Sequence, residues 1–186
     1  MNIKYLTIKI VLFSSIILLV SCKNSKYSLS KKTKESLTVS IDSMYDLDQN
    51  IRQYYNQLDA SYGIKRGTNL KNKGITKGTY KLYKKEKDSI IKVMKKTDNT
   101  NTLKLLKITD KYGFPSNERL GTYKAKAYMI FVHSDINKYG EKIEHVINTE
   151  NKANRISKYK KAYIFWHLHG RKKMPPMRGK NGEVIW

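Results

Sequence analysis

The stretch Ser36 to Asp59, SLTVSIDSMYDLDQNIRQYYNQLD, constrains this chain more than any other. At 100° per residue, Leu37, Ile41, Met44, Leu47, Ile51, Tyr55 and Leu58 fall within about 60° of one line, the stripe of a core-facing helix. Asp48 lies about 40° from the centre of that stripe, and Arg52 follows one turn later, nearer its edge. A carboxylate inside an apolar face needs a partner. Gln49 points about 140° away, toward a second surface or a loop.

The rest of the chain supports an all-α fold: a single bundle of about five to six helices with a long polar loop after the first. Ala60 to Thr79 carries Gly63, Gly67, Gly74 and Gly78 among Lys, Asn and Thr, too long for a turn and without phosphate-loop spacing. Tyr80 to Lys96 returns to helical spacing through Leu82, Tyr83, Ile90, Val93 and Met94. Asp98 or Thr100 then caps a further helix through Leu103, Leu105, Leu106, Ile108 and Tyr112, ending at Gly113 and Pro115. The apolar run Ala127 to Val132 reads as a covered helix, closed by His133 and Asp135. Lys138 to Asn148 and Ile156 to Leu168 add two more; in the second, Tyr159, Ala162, Tyr163, Phe165 and Trp166 supply core bulk. Residues 171–186 leave as a basic tail whose apolar end docks back.

The N-terminus adds a location. Lys4 and Lys9 precede the apolar run Ile10 to Val20, too short for an ordinary membrane span but suited to a signal peptide. Leu19-Val20-Ser21-Cys22 resembles a bacterial lipobox, in which the chain is cut before a cysteine bearing a diacylglyceryl group. Cys22 is the only cysteine, which excludes an intramolecular disulfide and a cysteine-based zinc site. The expected organisation is a lipoprotein signal peptide at 1–21, the lipidated cysteine and a basic tether at 22–35, a helical domain at 36–170 and the tail at 171–186. The tether reaches up to roughly 40 Å. The expected location is the bacterial envelope, anchored through Cys22, with the outer membrane favoured because Lys23 is not an inner-membrane retention signal.

The formal charge is +23, and losing Lys4 and Lys9 lowers it to about +21. Such a balance favours anionic lipid or anionic polymers as neighbours, or else a solvated lysine face. The basic residues are spread along the chain without the aromatic interleaving of a nucleic-acid groove.

Asp48-Gln49 with Arg52, then Asp98 and Asn101, then Tyr112-Gly113-Phe114-Pro115, Gly121 and His133-Ser134-Asp135 resemble, in order, the landmarks of an uncharacterised bacterial family. Its members show a DQxxR helix, a D-x-x-N pair, a YGWP-like turn and a helix ending in QHAD or QHS. The resemblance implies a mostly helical fold and a residue list, without a reaction. This chain departs from it at Val132, where the family has Gln. It also has Trp166-His167-Leu168-His169-Gly170-Arg171 and Met174-Pro175-Pro176-Met177 in place of the C-terminal DR and YGTQ elements.

Two chemistries follow for the polar set. Asp48 orienting His133, with Arg52 holding an anion, suits a binding pocket or general acid–base work of a hydrolase-like enzyme. An Asp48–Arg52 pair extended to His133 equally suits a buried network that fixes helix register. A third possibility is binding of anionic polymers by bulk charge. No cofactor motif emerges. Two histidines at i, i+2 on a helix point about 200° apart, so His167 and His169 do not chelate one metal.

Overall fold

The computed structural model describes residues 28–64, 76–122 and 126–186. The lipobox, Cys22, the first part of the tether and the Gly67 and Gly74 part of the polar loop lie outside these residues. The described residues form six helices and one two-stranded ribbon, a mainly helical bundle of the expected class. Among them, no helix is long and apolar enough to cross a membrane.

Helix α1 runs Lys31–Ser61 and α2 runs Lys77–Tyr112. At 1.5 Å per residue they are roughly 45 and 55 Å long. They pair antiparallel: Asn101 bonds the Met44 carbonyl, Asp98 bonds Arg52, and Tyr83 bonds Asp59. α1 starts six residues earlier than its apolar stripe, because Ser30 Oγ accepts from Thr33 N–H at 3.2 Å and starts the helix among lysines that tolerate it. The tether's last residues are therefore helical. α2 crosses Thr97 to Thr102 without the break that its cap-like residues suggest. Asp98 and Asn101 spend their side chains on α1 instead of on the α2 backbone, so their helix-breaking competition is removed.

Gly113 closes α2 at φ +73 and ψ 166, a backbone region open to glycine. Phe114 and Pro115 then go into the core, and Ser116 caps the short α3, Asn117–Leu120. α4 is Ala127–Val132, α5 Ile136–Lys152 and α6 Lys158–Leu168. Asp135 caps α5 through the Asn137 and Lys138 amides. The tail pairs β1, Met177–Arg178, antiparallel with β2, Val184–Ile185, and β2 lies against α6.

α4 sits at the centre, packed on α1, α2 and α6, and its Ile130, Phe131 and Val132 are buried with Ile41, Leu105, Phe114, Ile143, Ile147 and Ile164. A smaller cluster of Leu58, Ile64, Tyr83 and Ile90 closes the far end of the α1–α2 hairpin. Stripe assignments change on three helices, and on α2 Leu82, Val93 and Leu103 are exposed. Leu47 is 51% exposed while Asp48 is 3% exposed, so the carboxylate takes the inward position. On α6 the inward residues are Lys160, Ile164 and His167, and the aromatic residues lie half-buried on the flank. The reason is polar pairing: Lys160 reaches Glu118 at 2.8 Å and His167 reaches the Ser134 carbonyl at 2.9 Å.

Candidate functional site

Asp48, Arg52, Asp98 and His133 meet where α1, α2 and the end of α4 converge. His133 Nδ1 lies 3.0 and 2.9 Å from the two Asp48 oxygens. Arg52 Nε lies 3.1 Å from Asp48 Oδ1 and 3.0 Å from the same His133 Nδ1. Its NH2 group binds Asp98 at 2.7 Å and Asp48 at 3.0 Å, and NH1 meets Met94 Sδ at 3.1 Å. Gln49 does not face a second surface: its amide turns back to donate to Asp48 Oδ2 at 2.7 Å. Arg52 thus commits all three of its nitrogens to neighbouring side chains.

Burial pushes the Asp48 carboxyl up, but bonds and charges from His133 and Arg52 outweigh it, leaving the group below the usual carboxylate range. At Asp98 burial wins over Arg52, aided by the Asp48 charge, and the carboxyl is pushed up to about 6. Two carboxylates on one guanidinium are therefore driven in opposite directions, a separation found where protons are exchanged. Asp98 Oδ2 and His133 Nε2 carry no hydrogen bond from a described residue.

The loop bearing His133 is held from every side. Ser134 Oγ donates to the Phe131 carbonyl at 2.7 Å, Arg171 NH2 to the Val132 carbonyl at 2.6 Å, and His167 Nε2 to the Ser134 carbonyl at 2.9 Å. Arg171 Nε donates to His167 Nδ1 at 3.0 Å, so His167 is a neutral imidazole with both nitrogens assigned. Burial lowers its pKa to about 4. These two residues stand in the stretch that departs from the resembled family, and sequence reasoning gave them no role. Arg171 lies past the end of α6 with φ +56, so no helical spacing announces the pair. His169 is exposed and stacks edge-on with Phe165. Among the described residues no group of three or more metal-ligating side chains gathers.

The other landmark residues serve the backbone. Asn101 ties α2 to α1, Gly113 and Pro115 shape the turn, Gly121 closes α3 in the left-handed region at φ +70, and Asp135 caps α5. Comparison with protein-family models, with curated proteins and with solved structures finds no match.

Proposed function

We propose that this chain is a lipid-anchored protein of the bacterial envelope, held through Cys22, with outer-membrane placement favoured. In this reading it serves as a binding or accessory module whose site is the Asp48–Arg52–Asp98–His133 cluster. One observation carries the site reading: His133 Nδ1 is within hydrogen-bond reach of both Asp48 and Arg52 Nε. With a proton on Nδ1 the ring donates to Asp48; with that proton on Asp48 instead, the bare nitrogen accepts from the carboxyl and from Arg52. The cluster thus accommodates either proton placement without moving a heavy atom. Asp98, raised to about 6, is a group able to take up a proton near neutrality. The ligand would be small and polar and meet His133 Nε2 and Asp98 Oδ2, since Arg52 is already occupied.

The resemblance to the DQxxR family belongs to this proposal. It is supported by the convergence of four polar landmarks, from Asp48 to His133, in one cluster. A hydrolase-like reading has its own support, because a buried carboxylate on Nδ1 with Nε2 turned away is the arrangement of a general base. Thermal-shift screening of small carboxylates, phosphates, amines and sugars against wild type and His133→Asn separates these readings. Compounds that raise the melting point of wild type alone support the binding site, and consumption of such a compound by wild type moves the assignment to an enzyme. Shifts of equal size in both proteins would sink both. Labelling with radioactive palmitate, lost in Cys22→Ala, tests the anchor.

A further inference from the structure

A groove lies away from that cluster, along the outer face of α6. It encloses about 610 Å³, within the range of small-molecule clefts. Ala162, Phe165, Trp166 and Trp186 form its apolar lining, and Lys158, Lys161, Lys172 and Lys173 stand around it. Trp166 is fixed as a wall, its indole N–H donating to the Lys173 carbonyl at 2.7 Å and its ring covered by Arg171 at 5.3 Å. None of the four lysines has a carboxylate partner among the described residues, whereas the buried Lys160 between them has Glu118. No acidic side chain lines the groove. Ala162, the smallest residue of the lining, is the gap in the α6 wall, one turn from Lys158 and from Trp166.

An apolar trough ringed by ammonium groups without carboxylate partners is complementary to a molecule with a hydrocarbon body and an anionic head. The lining argues against a nucleotide. Apart from the lysines its polar side chains are Asn151, which already donates to the Ile156 carbonyl, and His169, so a base edge and a sugar would go unsatisfied. We propose that this groove is a binding site for a single-chain anionic amphiphile of the fatty-acid class, taken up as a monomer.

Trp166 and Trp186 are the only tryptophans in the chain and both line the groove, so intrinsic fluorescence reports on it directly. The protein for the test is the chain from residue 22 onward with Cys22→Ser, which keeps every described residue. Dodecanoate below its aggregation limit should give a saturable blue shift. Dodecanol, with the same chain and no charge, should bind about tenfold or more weaker, and acetate should have no effect. The triple variant Lys161→Gln, Lys172→Gln, Lys173→Gln, all at the surface, should lose about tenfold in affinity with unchanged circular dichroism. Ala162→Leu, which fills the gap and suits a helix, should weaken dodecanoate and dodecanol alike. No fluorescence change, equal affinity for dodecanol and dodecanoate, or a response confined to phosphatidylglycerol vesicles would each overturn the proposal; the last would make the patch a bilayer contact.

Discussion

Two buried arginine–carboxylate clusters in this protein have the same ingredients and different uses. Around the turn after α2, Glu150 Oε2 accepts from the Phe114 amide at 2.7 Å and from Arg155 Nε at 2.7 Å, while Oε1 takes Arg155 NH2 at 2.8 Å. Arg119 donates to the carbonyls of Phe114 and Tyr112, each at 2.9 Å. Glu150 accepts and the guanidiniums donate, and several partners are main-chain groups, so the cluster fixes the path of the chain. Around His133 all the partners are side chains from distant parts of the sequence, and one nitrogen faces both a carboxylate and a guanidinium. The first arrangement tolerates one proton distribution; the second admits two. That difference makes the His133 cluster the better candidate for chemistry, although both are equally buried ion networks.

The comparison breaks most visibly at Glu150. Glu150→Ala strands the Phe114 amide in a buried place and takes away the carboxylate that Arg155 binds, and the expected loss is about 3 to 5 kcal/mol, a fall of roughly 10 °C in melting temperature for a chain of this size. Gly113→Ala should cost about 1 to 3 kcal/mol, because a left-handed φ strains any side chain. A Cβ there would also lie 2.9 Å from both Arg119 NH1 and Arg155 Nε. Asp48→Asn should be milder, at about 1 to 3 kcal/mol, since Arg52 retains Asp98 and the amide still accepts from His133 or Gln49. If Asp48→Asn proves as damaging as Glu150→Ala, both clusters are structural and the case for a site at His133 fails. Denaturant melts of the three variants against wild type decide this.

Much of the bundle was legible from periodicity, because the α1 stripe, the Ala127 to Val132 run and the Gly113-Phe114-Pro115 stop are local signals. So was the pairing need of Asp48, since a carboxylate on an apolar face announces itself. The misplacements share a cause: polar residues whose local preference was overridden by a distant partner. Asp98 looks like a cap and is a tertiary ligand of α1, as Asn101 is, so one long helix has the sequence pattern of two. Leu47 looks like core, yet Asp48 takes its place because Arg52 and His133 compensate the carboxylate. Glu150, Arg155 and Arg119 gave no signal, since a bond from a side chain to a main-chain amide 36 residues away leaves no pattern in the sequence. The lysine-ringed groove was invisible for the same reason: aromatic residues that read as core lie on the flank of α6.

The finest test of the comparison is pH, because the clamp histidine and the site carboxylate contribute slopes of opposite sign. His167, held neutral by burial and by the bonds to Ser134 and Arg171, has its pKa lowered from 6.5 to about 4. Between those values the unfolded chain binds the extra proton, so its contribution is complete above 6.5 and is lost as pH falls toward 4. Asp98 has its pKa raised from 3.8 to about 6, so there the folded chain holds the extra proton and stability declines as pH rises through that window. Wild type should therefore show a shallow dependence between pH 4 and 6, with the two terms offsetting. His167→Gln should leave the falling limb alone, so that its melting temperature drops from pH 4 to 6. Asp98→Asn should leave the rising limb, with a melting temperature that climbs over the same range. Matching slopes in the two variants would mean that neither proton is bound where the geometry puts it. Opposite slopes would separate a histidine that holds a loop from a carboxylate that takes part in proton exchange.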